Sequence, residues 1–211
     1  MFNADICKTA GDAILDLVSV ISTKFNLLLA NKTSEPRKSA SEILEMTDIE
    51  RFDETIDELD FNLTMSGLSL FRYITDNIAD MPLSVMTMIL NENDMICTLV
   101  YILEMGPWIR KTPSGLERFE SGVWQGISKE DLLLMGKLEG QIWLALMNLL
   151  LDQECRRKYN YTTRNQSIVL RVNHIDIAQK LHRRRDCGPV ASTCRPAALP
   201  RRASDGYSRR H

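Results

Sequence analysis

Apolar residues recur at three- and four-residue steps along most of the chain, the spacing of helix faces rather than of strands. Ile6, Ala10, Ala13, Ile14, Leu17, Ile21, Phe25 and Leu28 mark one face of a first helix from about Asp5 to Ala30. A polar loop with Pro36 follows, and Ser39 and Glu42 stand at capping-box spacing for a second helix. Ile49, Phe52, Ile56, Leu59 and Leu63 then step by 3, 4, 3 and 4, and the series continues through Gly67, Leu70, Ile74 and Ile78. An unbroken helix of about 40 residues would reach roughly 60 Å, long for a globular domain. A break near Asp60–Asn62 is the alternative. Pro82 suits the first turn of a third helix, about 82–91. Asn93 or Asp94 caps a fourth, about 94–105, which Gly106-Pro107 stops.

The pattern then changes. WIRKTPSGLERFESGVWQGI alternates and carries aromatics, with turn signals at Pro113-Ser114-Gly115 and Ser121-Gly122. A small β-meander at about 108–127 fits, anchored by Trp108, Phe119 and Trp124. So small a sheet is not stable alone and must lean on helices. Ser128 to Leu151 is the most apolar run, with no charge between Glu139 and Asp152. Its polar positions Lys137, Gln141, Asn148 and Asp152, with Ala145, form one narrow stripe. That predicts a central core helix opening at Ser128, around which the others pack. The uncharged run is shorter than the ~20 residues that span a bilayer. Gln141 and Asn148 bond loop backbone, face solvent or open onto a partner groove. A shorter helix to about Tyr159 and a last one over about 164–181 complete a mostly α, antiparallel, armadillo-like array over residues 1–181. Residues 182–211 lose apolar periodicity and are expected to be a disordered Arg/Pro/Ser-rich tail.

Charge divides the chain where the pattern does. The 30-residue tail holds eight Arg against Asp186 and Asp205, a net +6; the remaining 18 basic and 26 acidic residues give residues 1–181 a net −8. Asp48, Glu50, Asp53, Glu54, Asp57 and Glu58 crowd the first half of the second helix, as a solvated face or as an acidic partner surface. The tail could attract nucleic acid or acidic lipid by charge, but Tyr207 is its one aromatic. The N-terminus does not read as a secretory signal, and five cysteines without regular spacing suit reduced intracellular thiols. His174, His182 and His211 lie near no Cys pair at zinc spacing, and no phosphate-loop, dinucleotide or nucleophile-elbow motif occurs. The residues therefore predict no enzyme, metal site, cofactor or small-molecule substrate.

Four groups of residues carry a resemblance. They are Leu68-Ser69-Leu70-Phe71-Arg72-Tyr73-Ile74-Thr75-Asp76, Pro107-Trp108, Phe119-Glu120-Ser121-Gly122-Val123-Trp124, and Lys137-Leu138-Glu139-Gly140-Gln141-Ile142-Trp143-Leu144-Ala145-Leu146 with Asn148-Leu149-Leu150. In this order and spacing they resemble the middle region of the BLU family of MYND-type zinc-finger proteins, over about residues 1–171. The resemblance implies a non-catalytic, cytoplasmic factor for preassembly of axonemal dynein arms, found at centriolar satellites or near the ciliary base. Chaperones, other dynein assembly factors and dynein chains are the implied partners. The family's zinc sits in a MYND finger whose ligand positions this chain lacks, so no zinc is carried over. The family's flanking helices are also expected to be missing, and residues after about 171 read as an altered frame or intron. Candidate contact residues are Arg72, Trp108, Arg110, Trp124, Gln141 and Asn148. The rival expectations are a basic-tailed module for nucleic acid or acidic membrane, and a non-functional fragment that exposes apolar faces.

Overall fold

A computed structural model describes residues 11–31, 45–112 and 114–171. Of these, 73% are helical, so the fold is mostly α with one small sheet. The expected disordered tail and the expected helix start at Ser39 lie outside the described residues.

Helix α1 spans Gly11–Ala30 and helix α2 spans Asp48–Asp76. The start of α2 is set by Thr47: its hydroxyl accepts from the Glu50 amide, while the Glu50 carboxylate accepts from the Thr47 amide. The helix then runs for 29 residues, with no break at Asp60–Asn62. α1 lies antiparallel against it. Ile21 and Phe25 approach within 4 Å of the space a Cβ at Gly67 would fill, Phe25 meets the edge of Phe71, and Lys24 pairs with Asp60. By length and composition α1 is apolar enough to cross a bilayer. In this fold its apolar side, Ile14, Val18, Ile21 and Phe25, is buried in the core.

A 3-10 turn, Ile78–Asp80, leads to α3, Leu83–Thr87, which loosens into a π turn at Met88–Glu92. Asp94 caps α4, Met95–Met105, and Gly106 ends it in the left-handed conformation that favours glycine. Strands β1 (Ile109–Thr112), β2 (Gly115–Glu120) and β3 (Val123–Ile127) form an antiparallel meander in the order β1-β2-β3. Ser121 and Gly122, both at positive φ, make the two-residue turn between β2 and β3. A 3-10 turn follows at Asp131–Leu133, then α5 (Lys137–Leu151), α6 (Gln153–Lys158) and a helix α7 over 163–171.

Three expectations change. The central helix does not open at Ser128. Ser128 and Asp131 bond each other reciprocally and close a separate turn, so α5 begins at Lys137. Nor is α5 the core helix: Leu144, Met147 and Leu151 are exposed, whereas α4 buries Met95 to Val100, Ile102 and Leu103. α4 takes that place because α1, α5 and the π turn all pack on it. Finally, not every neighbouring pair is antiparallel. Lys137 reaches Ser121 in the meander that caps Phe61, and Asn148 reaches Asp76, so α5 runs alongside α2 in the same direction. The long meander-bearing connection permits this.

The N-terminus of α4 is tied to the chain beyond α6. Tyr159 Oη donates to Asp94 Oδ1 at 2.6 Å, and the Cys97 Sγ lies 3.5 Å from the same hydroxyl. Asp94 also accepts from the Cys97 amide while standing at φ 41°. Removing the phenol leaves a carboxylate short of a partner, so Tyr159→Phe should lower stability by about 1.5–3 kcal/mol, as for other bonds to charged groups. Urea unfolding checks this, and a Tyr159→Phe/Asp94→Ala pair should be clearly less than additive.

Candidate functional site

The side chains that could serve a partner converge on α2 and the two elements packed beside it. On the meander, Arg110 and Glu117 face each other in register, and the guanidinium bonds the carboxylate at 2.7 and 2.8 Å. The same guanidinium lies 4.0 Å over the Trp124 ring. Phe61 of α2 stacks on Trp124 with centroids 5.5 Å apart and meets the edge of Phe119 at 5.1 Å. Arg110, Trp124 and Phe61 thus form one column that fixes the sheet to the helix. Arg118 secures the other side of β2: its Nη2 donates to the Asp131 and Leu134 carbonyls at 2.6 and 3.0 Å, which folds the 128–136 connection back onto the sheet.

Farther along α2, Asp76 collects two partners. Arg72 pairs with it at 3.0 Å, and the Asn148 amide of α5 donates to it at 2.8 Å and to Thr75 Oγ1 at 3.3 Å. Asn148 is therefore a half-buried fastening between two helices. Gln141 is half-buried two turns earlier on α5, and its Oε1, like Arg72 Nε, is buried with no hydrogen-bond partner among the described residues. Trp108 is only 2% exposed and belongs to the main core, so it offers a partner no surface. Trp124 and Arg110 are partly accessible, but each is already occupied by the other. The structure thus brings Arg110 and Trp124 together beside Phe61 at the middle of α2 and Arg72 and Asn148 near its C-terminal end, and buries Trp108.

The described cysteines, Cys97 and Cys155, are held quiet. Burial above all, with Asp94 adding to it, pushes the Cys97 thiol from 9.0 up to about 11. Burial, then Asp152, pushes the Cys155 thiol up to about 12. Burial and the bond to Asp94 raise the Tyr159 phenol as well. Such thiols are poor nucleophiles at neutral pH. No group of three or more His, Cys, Asp or Glu placed to hold a metal occurs among the described residues.

α2 also exposes apolar side chains, and sequence reasoning passed over them because periodic apolar residues are ordinarily core. Ile49, Phe52 and Leu59 are 75%, 65% and 68% exposed, and Ile56 and Leu63 are exposed beside them. They form a continuous seam on the first half of α2. The acids flanking that seam were legible in the sequence as a charged face; the missing cover was not.

Against curated proteins, the chain is 24% identical over 165 residues to the zinc finger MYND domain-containing protein 10 homolog of Drosophila melanogaster. The match covers 76% of this chain and 36% of that protein, so the chain spans about a third of the length of the relative it matches. This is a distant relationship. No family model and no solved structure matches the chain.

Two outcomes follow from the geometry. Trp124→Ala should cost about 2–3 kcal/mol, since it removes a stacked aromatic that also carries a cation–π contact; calorimetry checks this, and Phe61→Ala should not add fully to it. Folded thiols held above 9.0 contribute stability that is present below 9.0 and lost as pH rises through 11 to 12, because the unfolded state releases their protons first. Resistance to urea should therefore fall across that alkaline window, and Cys97→Ser/Cys155→Ser should flatten the fall.

Proposed function

We propose that this chain acts without catalysis, as a protein-binding helical module of a factor for cytoplasmic preassembly of axonemal dynein arms. One observation carries the reading: the residue strings that resemble the BLU family fall within a chain that aligns over 76% of its length with a MYND domain-containing relative. The structure is compatible in a particular way. Its polar candidates Arg72, Arg110 and Asn148 are engaged internally, and α2 exposes an apolar seam, which suits protein contact rather than substrate chemistry. Chaperones, other assembly factors and dynein chains are the proposed partners, and the cytoplasm near the ciliary base the proposed location. An armadillo-like array belongs to the proposal as the setting of this module in a longer chain. Zinc chemistry is assigned to no residue here.

The rival reading places function in basic residues 182–211, binding nucleic acid or acidic membrane. Expression of the tagged chain in multiciliated cells separates the two. Co-purification of dynein heavy and intermediate chains, unchanged when residues 182–211 are deleted, is the expected result. Binding only to nucleic acid or anionic vesicles, abolished by that deletion and by added salt, would replace the adaptor reading with its rival.

A further inference from the structure

The first half of α2 is built like one strand of a coiled coil with no second strand beside it among the described residues. Ile49, Phe52, Ile56, Leu59 and Leu63 step by 3, 4, 3 and 4, so Ile49, Ile56 and Leu63 occupy a positions and Phe52 and Leu59 occupy d positions of two heptads. All five are exposed. In that register Asp53 and Asp60 fall at e, Asp48 at g, and Asp57 lies one turn beyond Asp53 on the same edge. Residues 48–60 hold seven acids against Arg51, a net −6. Asp53 and Asp57 are exposed and make no ion pair with a described residue. Asp60 already shows what the edge accepts: Lys24, from the antiparallel helix α1, pairs with it where the seam passes under the body.

From these features we infer that the Ile49–Leu63 seam docks an amphipathic helix of another protein whose e and g positions carry Lys or Arg. A second copy of this chain fits badly. Parallel pairing sets Asp48 against Asp53, and antiparallel pairing sets e-position aspartates against one another, both unfavourable at coiled-coil distances. A basic helix meets the same edge with opposite charge and covers the apolar seam, continuing past Asp60 the packing that α1 begins. The inference deepens the adaptor reading and rests on it only for the occupant's being a protein.

The test uses the full chain and two labelled synthetic peptides of three heptads, each with Leu at a and d. One carries Lys at e and g, which keeps it from pairing with itself, and the other carries Glu. Fluorescence anisotropy should show the Lys peptide binding and the Glu peptide failing to bind. Hydrogen exchange should slow within 49–63 on addition of the Lys peptide. Ile56→Asp, and separately Asp53→Lys/Asp57→Lys, should weaken binding by roughly tenfold or more, with the helical circular dichroism unchanged because all three side chains are exposed. Equal binding of both peptides, or slowed exchange elsewhere, would overturn the inference. So would a concentration-dependent dimer that protects 49–63 without peptide, which makes a second copy the occupant. Protection of 49–63 in the free chain that disappears on deleting residues 172–211 would assign the seam to the chain's own C-terminal segment, and again overturn it. Failure of the peptide while dynein chains still co-purify sinks this inference alone; peptide binding without that co-purification sinks the adaptor reading alone.

Discussion

The fold depends on one helix being covered along only part of its length. α2 has 29 residues, which at 1.5 Å each extends roughly 43 Å. From Phe61 to Asp76 it is packed on one side: α1 packs across Gly67 and Phe71, α5 runs beside it to the Asn148–Asp76 bond, and the meander closes the covered stretch at Phe61. Every other element either touches that half or supports one that does. The meander has no core of its own, so its register and its aromatic column matter mainly because they give α2 a firm boundary between covered and uncovered turns.

Most elements were legible in the sequence because their signals are local. Asp94 and Gly106 bracket α4, Ser121-Gly122 turns the hairpin, and the three-and-four spacing marks α1 and α2. What failed was the ranking of helices by apolarity. α5 looked central because it lacks charge, yet burial follows from how many neighbours a face meets, and those are set by contacts far apart in sequence. Asn148 illustrates this. Its partners Thr75 and Asp76 lie more than 70 residues away, so one residue of a polar stripe that reads as loop-bonded or solvent-facing is bonded to α2 instead.

The same reasoning governs the candidate site. Arg72, Trp108, Arg110 and Trp124 were expected as contact residues because the sequence pattern left them outside the core. The structure engages three of them in internal pairs and buries Trp108. The acidic face of α2 was visible as charge, and its apolar seam as periodicity. Neither tells from sequence alone whether a seam is sheltered. That needs the position of α1, which meets α2 at the Lys24–Asp60 pair while Ile49, Phe52 and Leu59 stay exposed.

An uncovered amphipathic helix is ordinarily a poor structure, because about a dozen isolated residues cannot hold a helix in water. Two features hold this one. Its N-terminus is closed by the reciprocal Thr47–Glu50 bonds, and its C-terminal side is continuous with turns clamped by Phe119, Trp124 and Lys24. The projecting turns therefore need not nucleate; they propagate from a helix already fixed by packing. The consequence is a division within a single element, in which the second half of α2 stabilises the domain and the first half presents a preformed apolar seam with an acidic edge. A partner that docks there need not fold the receptor as it binds, and the ordering cost falls on the incoming helix alone.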